Sequence, residues 1–553
     1  MVNPLKSHPW PRSHHDLIEH YYATYDAQIA SGKYQPFLYP WGTLGAVVVI
    51  AYLLIPHQNG PWLKKCRFLA FAWITGFAAY SARYTRARGM APAFGIGLIS
   101  AWSVAWVGAI LVCNDAQTDF MRIERLEGVF GGSKKEDANE KGGKSEDVGS
   151  STAREGQQNG TTSRSTKEDI VHGHSGPSHR HGAFAWQSYP LTPFIERLDW
   201  VLDIFCNFRG AGWNWRTSAL PPPPKDIQEQ LHLNSGDIVP KTSYRTHAGQ
   251  VTLYTSRHDL LRANLWTFAK GYLTLDLLKT LMMHDPYFWG LVHRSPPSYP
   301  PFTSFSSSPI QTHIFHLLIS MLAIKSALQT IFSLGPLFFC FVLGPRVLGA
   351  RAEHWMYPET WAPYSIVLDK GLAGWWGSWW HQTFRFAFQE PSRKVIEVLG
   401  VDPKSKGAKA GQLVIAFALS GIVHACGSYT CAGETNPVSG PVVFFMAQAL
   451  GIFAEVVGTQ MLKATGLGNQ VPKRFKQVLT FVYVHVWFYF TAHLLCDDFA
   501  RGGIWLFEPV PISLFRGLGF GADKRDGWWC WWGVSEVTRW HSGKTWWTTG
   551  IAF

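Results

Sequence analysis

Charge is scarce in this chain. Asp, Glu, Lys and Arg supply only 16% of its 553 residues, against roughly 25% in ordinary soluble domains. That is unusual for a soluble multidomain protein, and the soluble alternative is a large all-helical enzyme with buried helices. The eight cysteines are dispersed, with Cys426 and Cys431 the nearest pair, so neither a disulfide framework nor a Cys-based zinc site is expected. No G-x-S-x-G nucleophile elbow occurs, which argues against a serine-hydrolase mechanism. One half of the chain does not repeat the other, which weakens an inverted-repeat transporter reading. The first 36 residues are polar, and the first apolar run starts too late and is too long for a cleaved signal peptide. Aromatic residues, abundant elsewhere, vanish between 131 and 182.

What fills the chain instead is apolar runs of membrane length. They lie at 37–56, 66–80, 91–113, 412–426, 441–462 and 477–496, with 311–349 long enough for two spans around Gly335-Pro336. A bilayer-crossing helix needs roughly 20 such residues, so about eight to ten spans are expected. The 27 tryptophans fit, because half-polar rings gather at headgroup level. The net charge of +12 is scattered through loops and carries no nucleic-acid-binding motif. Basic loops suit cytoplasmic tethering and attract the phosphates of an acyl-CoA.

The expected organisation is a polar N-terminal segment (1–36), three membrane helices (37–126), a polar loop (127–190) read as disordered, and a larger membrane domain (191–553). The loop is rich in Gly, Ser, Lys and Glu and cannot bury enough apolar surface to order itself. His172, His174, His179 and His181 at its end have metal-like spacing, but a Gly/Ser/Pro tract gives ligands no fixed surroundings, and no metal is expected there. Asn159-Gly160-Thr161 is a glycosylation sequon. Leu198 to Trp215 is too charged to span and too apolar for a linker, so it reads as interfacial.

Two polar stretches stand out against the apolar background. In WWGSWWHQTFRF, helical spacing would put Ser378, His381, Gln382, Arg385 and Gln389 on one face. In LVIAFALSGIVHACGS, His424 closes an apolar helix with Ser420 one turn earlier. An ionisable group inside a span is costly and usually faces a cavity or a partner. His493 and Asp497 match the H-x-x-x-D core of soluble acyltransferases, but Asp498 follows where those enzymes carry Gly.

Trp376-Gly377-Ser378-Trp379-Trp380-His381 followed by Ser420-Gly421-Ile422-Val423-His424 resembles the paired motifs of the membrane-bound O-acyltransferases, specifically the wax-synthase-like branch of fungal secondary metabolism. NFRGAGWNW (207–215) and FEPVPISLFRGLGFG (507–521) look like the same branch. Gly374, Ser378 and Trp379 stand where the branch usually carries an acidic residue and arginines.

The resemblance implies an all-α, polytopic transmembrane bundle with a reaction chamber inside the membrane, in which His424 is catalytic and His381 its partner. Gln382, Ser420, Trp380 and Arg385 would contact substrate. The implied reaction is transfer of an acyl group, most simply acetyl, from acyl-CoA to the hydroxyl of a hydrophobic acceptor such as a terpenoid, with long-chain wax-ester formation as the alternative. A proton-coupled transporter, its histidines relaying protons, is the competing class. Expected partners are acyl-CoA, a lipophilic alcohol and membrane lipids, with no cofactor, no metal and no nucleic acid. The expected location is the endoplasmic reticulum membrane.

Overall fold

A computed structural model describes residues 11–129, 184–234, 251–466, 471–531 and 538–553. The loop histidines and the Asn159 sequon lie outside the described residues.

Among the described residues, five helices are long and apolar enough to cross a membrane: Met90–Cys113, Pro309–Leu343, Lys406–Thr430, Val438–Ala464 and Lys473–Arg501. Arg67–Tyr84, Arg257–His284 and the shorter Trp41–Leu54 run among them. Apolar side chains point outward along these helices, among them Val478, Leu479, Val482, Val486 and Phe490 on one alone. In water such a surface would be an aggregation site, whereas hydrocarbon accepts it. The protein is a polytopic, mostly helical membrane bundle.

The central packing is glycine-mediated. Ser405 caps the Lys406–Thr430 helix, accepting a hydrogen bond from the Ala408 amide at 3.1 Å. A Cβ at Gly97 would run into the Cys426 carbonyl, and one at Gly427 into the Phe94 ring. These small residues bring the Met90–Val107 and Lys406–Thr430 helices to backbone contact, as membrane helix pairs require. The Thr430 hydroxyl locks the crossing, donating to Ala93 O at 2.7 Å and accepting from Gly97 N at 3.1 Å.

The structure departs from sequence expectation at four elements. Pro309–Leu343 forms one continuous element rather than two spans, because Pro336 lies near the helix end and a widened turn, Leu337–Leu343, absorbs its missing N–H. Arg257–His284, where no span was expected, is a long helix that carries Asp276 and Lys279 among its buried residues. Both are satisfied internally: Asp276 accepts from Leu514 N at 2.7 Å, and Lys279 Nζ donates to Trp505 O at 2.6 Å.

The strand Phe184–Gln187 falls inside the expected loop and pairs antiparallel with Arg122–Arg125, Arg122 opposite Gln187. Leu198–Trp215 supplies a 13-residue helix, Phe194–Cys206, that buries Trp200, Val201 and Ile204. Its Asp199 and Asp203 reach the buried Arg122 at 2.8 and 3.2 Å.

The ends of the described chain meet. Leu38–Tyr39 pairs with Gly550–Ala552, which pairs with Arg539–His541. The segment read as merely polar, 1–36, contains the helix His14–Ala30 and is part of this closure.

Candidate active site

The tryptophan-rich stretch is not a regular helix. Ser365–Gly374 breaks at Gly371 (φ 60°), and Trp375–Trp379 forms a single widened turn. The chain then runs non-helical through His381 until Arg385 starts the next helix. The single polar helix face expected over 378–389 is therefore not formed. The reason lies in the polar side chains themselves, which bond to backbone. Gln382 Nε2 donates to Trp376 O at 3.1 Å and also to Trp380 O, while its Oε1 accepts from Arg385 Nη1 at 2.9 Å. Arg385 Nη1 also donates to Gly377 O at 2.6 Å. Gln382 and Arg385 brace the turn.

This turn delivers His381 into a ring-lined recess. Phe332, Phe384 and Trp361 lie with centroids 5.6, 5.3 and 5.9 Å from its imidazole, and Trp380 at 5.4 Å. Burial first, then the nearby His424 and Arg209, push its pKa down to about 3. The imidazole is thus neutral at physiological pH.

His424 reaches the same region from the Lys406–Thr430 helix, its ring 4.6 Å from Phe445, which in turn lies 5.8 Å from Trp376. His424 Nδ1 sits 2.8 Å from Ser420 O. A carbonyl only accepts, so Nδ1 carries the proton and Nε2 is left with its lone pair. Ser420 serves through its backbone. Among the described residues, the indole N–H of Trp361 and Nδ1 of His381 are buried and find no hydrogen-bond partner. Buried polar groups are nearly always bonded, so these two atoms are open to a polar group that enters the recess.

Three nearby residues were not singled out from sequence. Arg209, buried within NFRGAGWNW, donates to Pro358 O at 2.9 Å and Glu359 O at 3.1 Å, anchoring the strand of chain that leads to Trp361. Lys325 holds its ammonium 5.2 Å over the Trp361 ring and donates to Gln329. The NFRGAGWNW stretch was a usable signal for Arg209. Trp361 and Lys325 lie in ordinary-looking sequence and carry none.

Residues 361–447, which hold both histidines, match the model of the family described as membrane bound O-acyl transferase. Three curated fungal proteins are similar to this chain. The O-mevalon transferase macI of Penicillium terrestre is 26% identical over 58% of this chain and 64% of its own length. The O-mevalon transferase yanI of Aspergillus niger is 25% identical over 49% and 55%. The acetyltransferase ple2 of Rhodocybe pseudopiperita is 27% identical over 47% and 56%. The chain thus spans somewhat more than half the length of these relatives. No solved structure matches this chain.

Proposed function

We propose that this protein is an O-acyltransferase that moves an acyl group, acetyl in the simplest case, from acyl-CoA to a hydroxyl of a hydrophobic acceptor of terpenoid type. The observation that carries this reading is the approach of His424, whose Nδ1 faces Ser420 O and leaves Nε2 with its lone pair, to His381 in the same recess. An alcohol held against Nε2 gives up its proton as its oxygen attacks the thioester carbonyl. The oxyanion that forms is met by the N–H groups of His381 and Trp361. Collapse breaks the C–S bond, and the thiolate leaves with the proton that His424 took. Ester and free CoA result, with no covalent enzyme intermediate. The names of the relatives support transfer onto an oxygen, and that of ple2 supports an acetyl donor. The endoplasmic reticulum membrane is the proposed location, on family resemblance.

The test is product analysis with purified protein. Acetyl-CoA and palmitoyl-CoA are offered separately, each with terpenoid and long-chain alcohols. Acetylated terpenoid is the expected product. Palmitoyl esters alone would replace the acetyl donor with a wax-ester reading, and no ester from any pair would overturn the proposal.

A further inference from the structure

The first turn of the His14–Ala30 helix meets the C-terminal segment in a way that the acyl-transfer chemistry does not use. Ser13 caps this helix, its hydroxyl accepting from Asp16 N at 3.3 Å. Neighbouring helical residues project about 100° apart, yet His14 Nε2 and His15 Nε2 both reach Asp526 Oδ1, at 3.3 and 2.9 Å. The three atoms lie within 4.8 Å of one another. Asp526 is held for this purpose: its other oxygen accepts from Ala522 N at 2.9 Å and Asp523 N at 3.1 Å, leaving Oδ1 to the imidazoles. Ligating carboxylates are typically fixed by such outer hydrogen bonds.

Charge points the same way. The Asp526 side chain is only 2% exposed, and among the described residues its ion-pair partners are the two histidines, with no Lys or Arg. A buried carboxylate is normally paired with a cation or bound to a metal. Nearby, the single guanidinium of Arg525 already serves Asp16, Glu19 and Asp523. Beside the three groups opens a cavity of about 600 Å³, also lined by Tyr22, Lys279 and Trp529. It leaves room for a fourth ligand.

We infer that His14, His15 and Asp526 form a site for a divalent ion of the zinc class, open to this cavity and joining the N-terminal helix to the C-terminal segment. Tetrahedral zinc with bonds of about 2.0–2.2 Å sets its ligand atoms roughly 3.3–3.5 Å apart, a spacing that the 3.3 Å between His14 Nε2 and Asp526 Oδ1 matches and that the 2.9 Å from His15 Nε2 reaches with a small outward shift. The two imidazoles and one carboxylate match the ligand softness of zinc rather than of calcium or magnesium. The ligands are 511 positions apart in sequence, so no spacing pattern reveals them.

The test uses full-length protein, purified in detergent without a histidine tag and dialysed against metal-free buffer. Elemental analysis should find about one zinc per chain, and the cobalt-substituted protein should show the visible bands of tetrahedral coordination. His15→Gln and Asp526→Asn, checked for monodispersity, should each lose most of the metal and the cobalt bands. Should a variant fail to fold, wild-type protein still decides: a chelator must lower its melting temperature. Zinc well below one per chain, no melting shift with chelator, or metal retained undiminished in a folded variant would each overturn the inference. The last result would point to the 172–181 histidines.

Discussion

At the scale of single residues, the two histidines differ in what holds them, and the difference sets their roles. His424 is oriented by one hydrogen bond to the carbonyl of its own helix, which leaves Nε2 as the base. Removing it as His424→Ala should cut acyl transfer by about 10²–10⁴-fold while the melting temperature stays near wild type. Unchanged turnover in a radiolabelled acetyl-transfer assay would remove His424 from the mechanism. His381 has no such bond, and burial holds its pKa at about 3, against about 6.5 in an unfolded chain. The unfolded state therefore binds a proton near 6.5 that the folded state refuses. The stability contributed by the neutral ring is complete above about 6.5 and falls as the pH drops towards 3. For activity, His381 stays neutral from about pH 5 to 8, so His381→Gln should not displace the acid limb of the pH–rate profile even though it lowers the rate.

At the scale of elements, the sequence is clear where apolar length alone decides and obscure where side chains bond to backbone. Lys406–Thr430 and Val438–Ala464 are legible from their runs. The Trp375–Arg385 turn is not, because periodicity assumes a helix, whereas Gln382 and Arg385 satisfy carbonyls that a helix would have satisfied itself. The Arg257–His284 helix escapes a search for apolar runs because it carries Asp276 and Lys279, whose partners lie over 200 residues away. The broken turn can be tested at its hinge. Gly371 has φ 60°, and a Cβ there would run into Glu455 Oε1. Gly371→Ala should destabilise by about 2–4 kcal/mol from the strained backbone and the clash, read as a lower melting temperature in detergent. Gln382→Ala leaves the backbone unstrained, so it should spare stability more than turnover. Equal losses in both variants would mean that the turn has no special part in holding His381.

At the scale of the whole molecule, the fold is closed by its ends, and neither end announces this in its composition. The N-terminal segment reads as polar because its charges are destined for partners far away. Arg525 reaches Asp16 and Glu19, Arg539 reaches Asp26, and Asp526 reaches His14 and His15. Deleting residues 11–30 would remove every one of those partners and strand the buried Asp526 carboxylate. Breaking one side of a buried pair costs about 3–5 kcal/mol, a large part of the 5–15 kcal/mol that holds a typical protein together. The aromatic-free stretch from 131 to 182 makes the control. Its flanks are already joined by the Arg122–Arg125 and Phe184–Gln187 pairing, and shortening the connection between two fixed ends changes the closure cost by only about 0.6 kcal/mol per halving. Replacing residues 135–178 with a short Gly/Ser linker should therefore leave melting temperature and acetyl transfer near wild type, whereas the smaller 11–30 deletion should deplete folded protein from membranes. If both deletions were tolerated, the closure of the ends would contribute nothing to stability, and the N-terminal helix would be an appendage.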